Sequence, residues 1–201
     1  MTLVLRYAAR SDVGLIREGN EDSGYAGPAL LLVADGMGGH AAGEVASAIA
    51  VATVADLDVH PPGRADVLSA LGQSIGEVGE RIADVIEGEP DLTGMGTTVT
   101  GLYWLGDRVA VVHVGDSRAY LLRDGALTQL THDHTYVQTL VDAGRITEAE
   151  ATIHPRRSLL MRALDGMNTV EADLSVREAR DGDRYMLCTD GLSGVVDAAT
   201  I

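Results

Sequence analysis

The chain reads as an α+β fold of antiparallel sheets with helices packed on them, and three observations carry that reading. Between residues 96 and 130 apolar and polar side chains alternate with period two, as half-buried strands do. Between residues 42 and 87 the apolar period is helical. The connections inside the period-two region, Gly106-Asp107 and Gly115-Asp116-Ser117, suit only antiparallel neighbours, because a parallel crossover needs a much longer link. At 201 residues and 46% hydrophobic content, the chain can bury one sizeable core.

The elements follow in order. Residues 2–10 alternate loosely as a strand, 17–22 form a polar stretch, and 29–34 are an apolar strand that stops at an acid, Asp35. A helix over 42–57, rich in Ala and Val, is closed by the breaker Pro61-Pro62-Gly63. A second helix over 65–87 carries Val67, Leu68, Leu71, Ile75, Val78, Ile82 and Ile86 at helical spacing. Strands at 96–105, 108–114 and 118–123 then form a meander. Residues 131–170 break the rhythm with His, Asp, Thr and Arg clusters and a short helix over 136–143, as a lid would. The sheet resumes at 185–189.

A formal net charge of −15 argues against nucleic-acid and anionic-membrane surfaces, which would repel the chain. All fifteen basic residues are Arg, with neither Lys nor Phe present, a bias of GC-rich coding or of salt adaptation. The single cysteine, Cys188, rules out an internal disulfide. There is no secretory signal and no apolar run of membrane-spanning length, so a cytoplasmic domain is expected.

The chemistry is concentrated where strands end in acids. Asp35 stands at the mouth of a buried strand and is followed by Gly36-Met37-Gly38-Gly39-His40; Asp190-Gly191 repeats the arrangement near the other end. Two such carboxylates, brought together by folding, suit a hard divalent cation such as Mg2+ or Mn2+. The segment from Gly36 to Ala41 also fits the loose G-x-G-x-x-A dinucleotide fingerprint. A nucleotide-binding unit would return to a parallel strand after one helix, however, and Asp35 would oppose the pyrophosphate. Ser117 as a hydrolase nucleophile lacks a matched base or oxyanion motif.

Five ordered segments, Arg17-Glu18-Gly19-Asn20-Glu21-Asp22, Asp35 to His40 with Gly43-Glu44-Val45-Ala46-Ser47, Gly96-Thr97-Thr98, Gly115-Asp116-Ser117-Arg118 and Thr189-Asp190-Gly191-Leu192, resemble the motifs of the metal-dependent protein phosphatase 2C family. The resemblance covers nearly the whole chain and is nearest to membrane-anchored bacterial members. It implies a four-layer αββα sandwich, two antiparallel β-sheets flanked by helices, with a centre of two Mn2+ or Mg2+ ions at one end. It also implies a protein serine/threonine phosphatase that hydrolyses phosphoserine and phosphothreonine with a metal-activated water and reverses bacterial Ser/Thr kinase signalling. The implied partners are phosphorylated proteins, namely Ser/Thr kinases and their substrates.

Carried over position by position, the resemblance makes Asp35 the bridge between two ions, with the Gly36 carbonyl and Asp190 as further ligands. Asp116 and Asp190, with Ser158 of the insertion by a looser match, fall at a third metal. Glu21 and Asp22 correspond to acids that orient waters on the ions. Arg17 corresponds to the phosphate-binding arginine, a role suited to a planar guanidinium with paired donors. His40 corresponds to a general acid, since imidazole can deliver a proton near neutral pH. Other basic side chains are assigned elsewhere: His113 to a satisfied strand position, His132 and His134 to capping of the insertion, and Arg156, Arg157 and Arg162 to covering apolar surface or pairing with acids.

Residues 1–201 thus form a single phosphatase catalytic domain, with 131–165 resembling the family's flap, which gates substrate access. Family domains continue through another helix and a strand bearing an Asp-Asn pair whose Asp ligates the second ion, so a longer, membrane-anchored protein is expected. A chain that did stop at Ile201 would instead be a catalytically impaired binding module.

Overall fold

The computed structural model describes residues 3–15, 19–39, 41–197 and 200–201. The chain runs β1 (Ser23–Ala26), β2 (Leu30–Ala34), β3 (Gly36–Met37), α1 (Ala41–Val59), α2 (Val67–Gly88), β4 (Gly96–Thr97), β5 (Val99–Trp104), β6 (Arg108–Val114), β7 (Arg118–Arg123), β8 (Ala126–Gln129), α3 (Tyr136–Asp142), α4 (Glu148–Thr152), β9 (Asp173–Glu178), β10 (Arg184–Cys188) and α5 (Asp190–Ser193). Five strands pair antiparallel in the order β1-β2-β5-β6-β9, three in the order β10-β7-β8, and the short β3 and β4 pair with each other.

Alternation along the central strands builds both sides of the larger sheet. Leu30, Leu32 and Ala34 of β2, Val99 and Tyr103 of β5, and Ala110, Val112 and Val114 of β6 face a core shared with the helices. Leu31, Leu102, Trp104, Val109 and Val111, one residue out of phase, meet Tyr185 and Leu187 of the smaller sheet. Each fully buried aliphatic side chain contributes about 1.5–3 kcal/mol. Helix α1 reaches the sheet closely because Ala42, Ala46 and Ala50 present little bulk, while α2 supplies the larger Leu71, Ile75, Val78 and Ile82. Helix pair, five-stranded sheet and three-stranded sheet are three of the four layers implied by the resemblance.

The helices match the expected spans within about two residues at each end, and β5, β6 and β7 lie where alternation placed them. Three expectations are corrected. Residues 3–10 join no sheet: Val4 and Tyr7 are exposed and give that stretch no buried face. The three central strands do not form a meander. β5 and β6 pair, but Gly115-Asp116-Ser117 carries the chain from one sheet to the other, so β6 and β7 are in different layers. Finally, β1, β8 and β9 lay outside the expected strands, each being short or poor in apolar residues. The residue 131–165 segment contains α3 and α4 and is pinned by bridges Thr135↔Leu160 and Thr97↔Leu164.

Candidate active site

Strand β2 delivers Asp35 to the edge of the core, and Thr97 of β4 and the next residue, Thr98, hold its peptide from both sides. The Asp35 N–H donates to Thr98 Oγ1 at 3.0 Å. The Asp35 carbonyl accepts from the Thr98 N–H at 2.9 Å and from Thr97 Oγ1 at 3.0 Å. Thr98 Oγ1 is also hydrogen-bonded to Ser117 Oγ at 2.9 Å, which ties the Asp35 peptide to the turn carrying Asp116. Gly36 follows in a space that excludes a side chain: a Cβ there would overlap the Gly43 carbonyl at the start of α1 and stand 2.5 Å from the Glu21 carbonyl oxygen. That same Glu21 carbonyl accepts from Ser47 Oγ of α1 at 2.6 Å. Asp22 is held from the far strand, where Thr189 Oγ1 donates to its Oδ2 at 2.7 Å.

These supports gather carboxylates from four parts of the chain. Asp35 lies among Asp22, Asp190 and Asp116, and burial, their like charges and a carboxyl–carboxyl hydrogen bond to Asp190 push it up to about 8. Asp116 is raised to about 6, chiefly by burial and then by Asp190 and Asp133. Among the described residues no three His, Cys, Asp or Glu side chains close on one point as a coordinating set. The four acids form a loose ring of like charge.

Crowding of this kind has a signed consequence for stability. Asp35 and Asp116 have folded values near 8 and 6, above the unfolded value of about 3.9. Their contribution is full below about pH 4 and is lost as pH rises through 6 and 8. Thermal melts of chelator-treated protein should therefore fall in midpoint from about pH 5 to 9, and Asp35→Asn should flatten the fall. A midpoint rising through that window would contradict the crowding.

The other expected site residues are placed less centrally. Glu21 lies against Gly43, where its Oε2 would meet an added Cβ. Ser158 is exposed in the turn after α4, outside the interactions of the carboxylate ring. Arg17 and His40 fall outside the described residues. His113 is buried and satisfied as expected, with Nδ1 2.9 Å from Thr100 Oγ1 and Nε2 3.0 Å from the His132 carbonyl. His134, expected to cap the insertion, instead touches Gly115 beside Asp116. Arg162 pairs with Asp173 at 3.0 Å, and Arg156 lies over the Tyr136 ring.

The hydroxyls of Ser47, Thr97, Thr98 and Thr189 were visible as motif residues, but sequence reasoning assigned them no task. Their partners are mostly backbone atoms and carboxylates brought in by folding, so only their place inside the motifs marks them.

A family model described as Protein phosphatase 2C matches residues 20–200. The serine/threonine protein phosphatase PstP of Mycobacterium tuberculosis (strain ATCC 25618 / H37Rv) is 60% identical over 201 residues, spanning 100% of this chain and 39% of PstP. The chain thus spans well under half the length of that relative. The serine/threonine phosphatase stp of Listeria monocytogenes serovar 1/2a is 40% identical over 195 residues, spanning 93% of this chain and 77% of stp. Among solved structures, the catalytic domain of PstP in complex with two manganese ions superposes with a TM-score of 0.89 at 57% identity, over 97% of this chain and 81% of that one.

Proposed function

Because the chain belongs to the protein phosphatase 2C family, we propose that it is the catalytic part of a metal-dependent phosphatase acting on phosphoserine and phosphothreonine in proteins. The observation that carries this reading is the ring of Asp22, Asp35, Asp116 and Asp190, in which like charge and burial hold Asp35 in its protonated range near neutral pH. Four half-buried carboxylates crowded at strand ends and turns fit hard cations, and the PstP catalytic domain, of the same fold, was solved in complex with two manganese ions.

Asp35, Asp190 and the Gly36 carbonyl would hold two Mn2+ or Mg2+ ions, with Asp116 and Asp190, and Ser158 from the insertion, as the donors for a third. When bound, the ions neutralise the phosphate dianion and supply an activated water. The chain's own side chains do the rest. To serve as a ligand Asp35 would have to ionise and release the proton that burial and its acidic neighbours hold on it. Glu21 and Asp22 orient water, Arg17 grips phosphate oxygens through paired donors, and His40 hands a proton to the departing serine or threonine oxygen.

The substrates are phosphorylated proteins, Ser/Thr kinases and their targets among them. No helix among the described residues is long and apolar enough to cross a membrane; a cytoplasmic domain within a membrane-anchored protein remains our reading of the longer chain. Residues 131–165 act as the flap over the site. An impaired binding module finds no support in relatives named as phosphatases.

Hydrolysis of p-nitrophenyl phosphate and of a phosphothreonine peptide by the full-length protein should require Mn2+ or Mg2+, and turnover that survives exhaustive chelation would sink the reading. Loss of His40 should discriminate between these substrates. His40→Ala should slow the peptide by roughly 10²-fold and p-nitrophenyl phosphate far less, since a good leaving group needs little protonation. Equal losses would remove His40 from the acid role.

A further inference from the structure

We propose that His134 is a positioning residue for the Asp116 carboxylate, holding the turn beneath it through both peptide groups of Gly115. This inference rests on the phosphatase reading. The turn leaves one sheet before it joins the other, so Gly115 has no strand neighbour to take its N–H and carbonyl, and buried peptide groups need partners. His134 supplies both. The Gly115 N–H donates to His134 Nδ1 at 3.0 Å, and the His134 N–H donates to the Gly115 carbonyl at 2.7 Å. Gly115 is fitted to this grip: its φ of 110° is a glycine conformation, and a Cβ would run into Thr98.

The contacts also decide where the imidazole carries its proton. Nδ1 accepts an N–H and must be bare, so the proton sits on Nε2, which donates to Asp173 Oδ2 at 3.1 Å, with Arg162 Nη1 a longer neighbour at 3.3 Å. The other oxygen of Asp173 accepts from Arg162 Nη1 at 3.0 Å, fixing that carboxylate in turn. The opposite tautomer would aim one N–H at another. His134 is 7% exposed and its ring lies 4.8 Å from that of His113, so it has little room to rotate away.

The neighbouring residues complete the clamp. Asp133 takes two donors from Arg118 on the other side of Asp116, the shorter contact being 2.6 Å, and Thr131 Oγ1 accepts from the Ala119 N–H at 3.2 Å. Asp116 sits in the field of Asp190, and the bonds to Gly115, Asp133 and Thr131 fix the turn that carries it against that repulsion. His134 therefore acts through Gly115 and touches no substrate.

Two measurements test this. In the folded, metal-free protein, 15N NMR of the His134 ring at neutral pH should show Nδ1 bare and Nε2 protonated; a protonated Nδ1 overturns the proposal. In kinetics, His134→Leu removes the acceptor while His134→Asn places a carbonyl oxygen near the Nδ1 position. His134→Leu should raise the Mn2+ concentration for half-maximal p-nitrophenyl phosphate hydrolysis by roughly tenfold or more, with the KM for the phosphoester little changed, and His134→Asn should recover most of the shift. Unchanged metal dependence in His134→Leu, or equal shifts in both variants, overturns it. If His134→Leu does not fold, the tautomer and His134→Asn decide: near-wild-type metal dependence supports the clamp and a roughly tenfold shift refutes it. An unmodified protein with no metal-dependent turnover would refute the phosphatase reading instead, leaving the NMR result to judge the hydrogen bond.

Discussion

Replacing Asp35 by Asn is expected to abolish metal-dependent phosphoester hydrolysis, by on the order of 10³-fold or about 4 kcal/mol of barrier, while the protein stays folded. The amide keeps the size of the side chain and the Thr97 and Thr98 bonds to its peptide, so β2 and β4 have no reason to part. What is lost is the one side chain of the ring that can ionise at that position to take up a cation. The sign of the stability change identifies the cause: above about pH 8 the metal-free variant should melt at a higher temperature than the parent, because an ionised, buried carboxylate has been removed from among like charges. The kcat/KM for p-nitrophenyl phosphate and thermal midpoints in chelator read the two halves. Retention of more than about a tenth of the activity would mean that Asp35 is not at the centre of the chemistry.

Gly36→Ala should produce the largest structural failure for a single methyl group. The new Cβ would overlap the Gly43 carbonyl and stand 2.5 Å from that of Glu21, and both obstacles are backbone that cannot rotate aside. Either β3 or the first turn of α1 must shift, at a cost of about 1–3 kcal/mol. A drop of several degrees in melting midpoint is expected, together with weaker metal binding, since the peptide proposed to offer its carbonyl is the one displaced. A variant with the parent's midpoint and metal dependence would show that the glycine is there for another reason.

Much of this arrangement was legible in the sequence because it is local. The apolar run of β2 and its abrupt stop at Asp35 are adjacent in the chain, and the stripe from Val67 to Ile82 announces α2 without help from the fold. The alternation of β6 and β7 was equally visible, yet alternation is the same whether consecutive strands pair or part. The choice is made at Gly115 by Thr98 and His134, which come from other regions. The edge strand β9 offers only Leu174 and Val176 as large apolar residues, too faint a rhythm to stand out. One signal went unread: Asp124 and Gly125 both have positive φ in the hairpin between β7 and β8, and an Asp-Gly pair between strands predicts that turn. In the site, Asp35 and Asp190 declared themselves at strand ends. Asp116 and Asp22 joined them by family resemblance, since no spacing along the chain says which acids will share a field.

The two bridges that pin residues 131–165 have a consequence for how such a domain can change over time. One end of the segment is bonded to Gly115 through His134, and the other exchanges two hydrogen bonds between Leu164 and Thr97, the residue that also holds the Asp35 carbonyl. Both abutments rest on the carboxylate ring itself, and Thr135↔Leu160 closes the span just inside them. The stretch between carries α3, α4 and Ser158 on ends that are already fixed, so residues can be added to its outer turns, removed or exchanged with little transmitted to Asp35 and Asp116 below. On the proposed flap reading, the outer face of the span can therefore change while the ring of acids stays put.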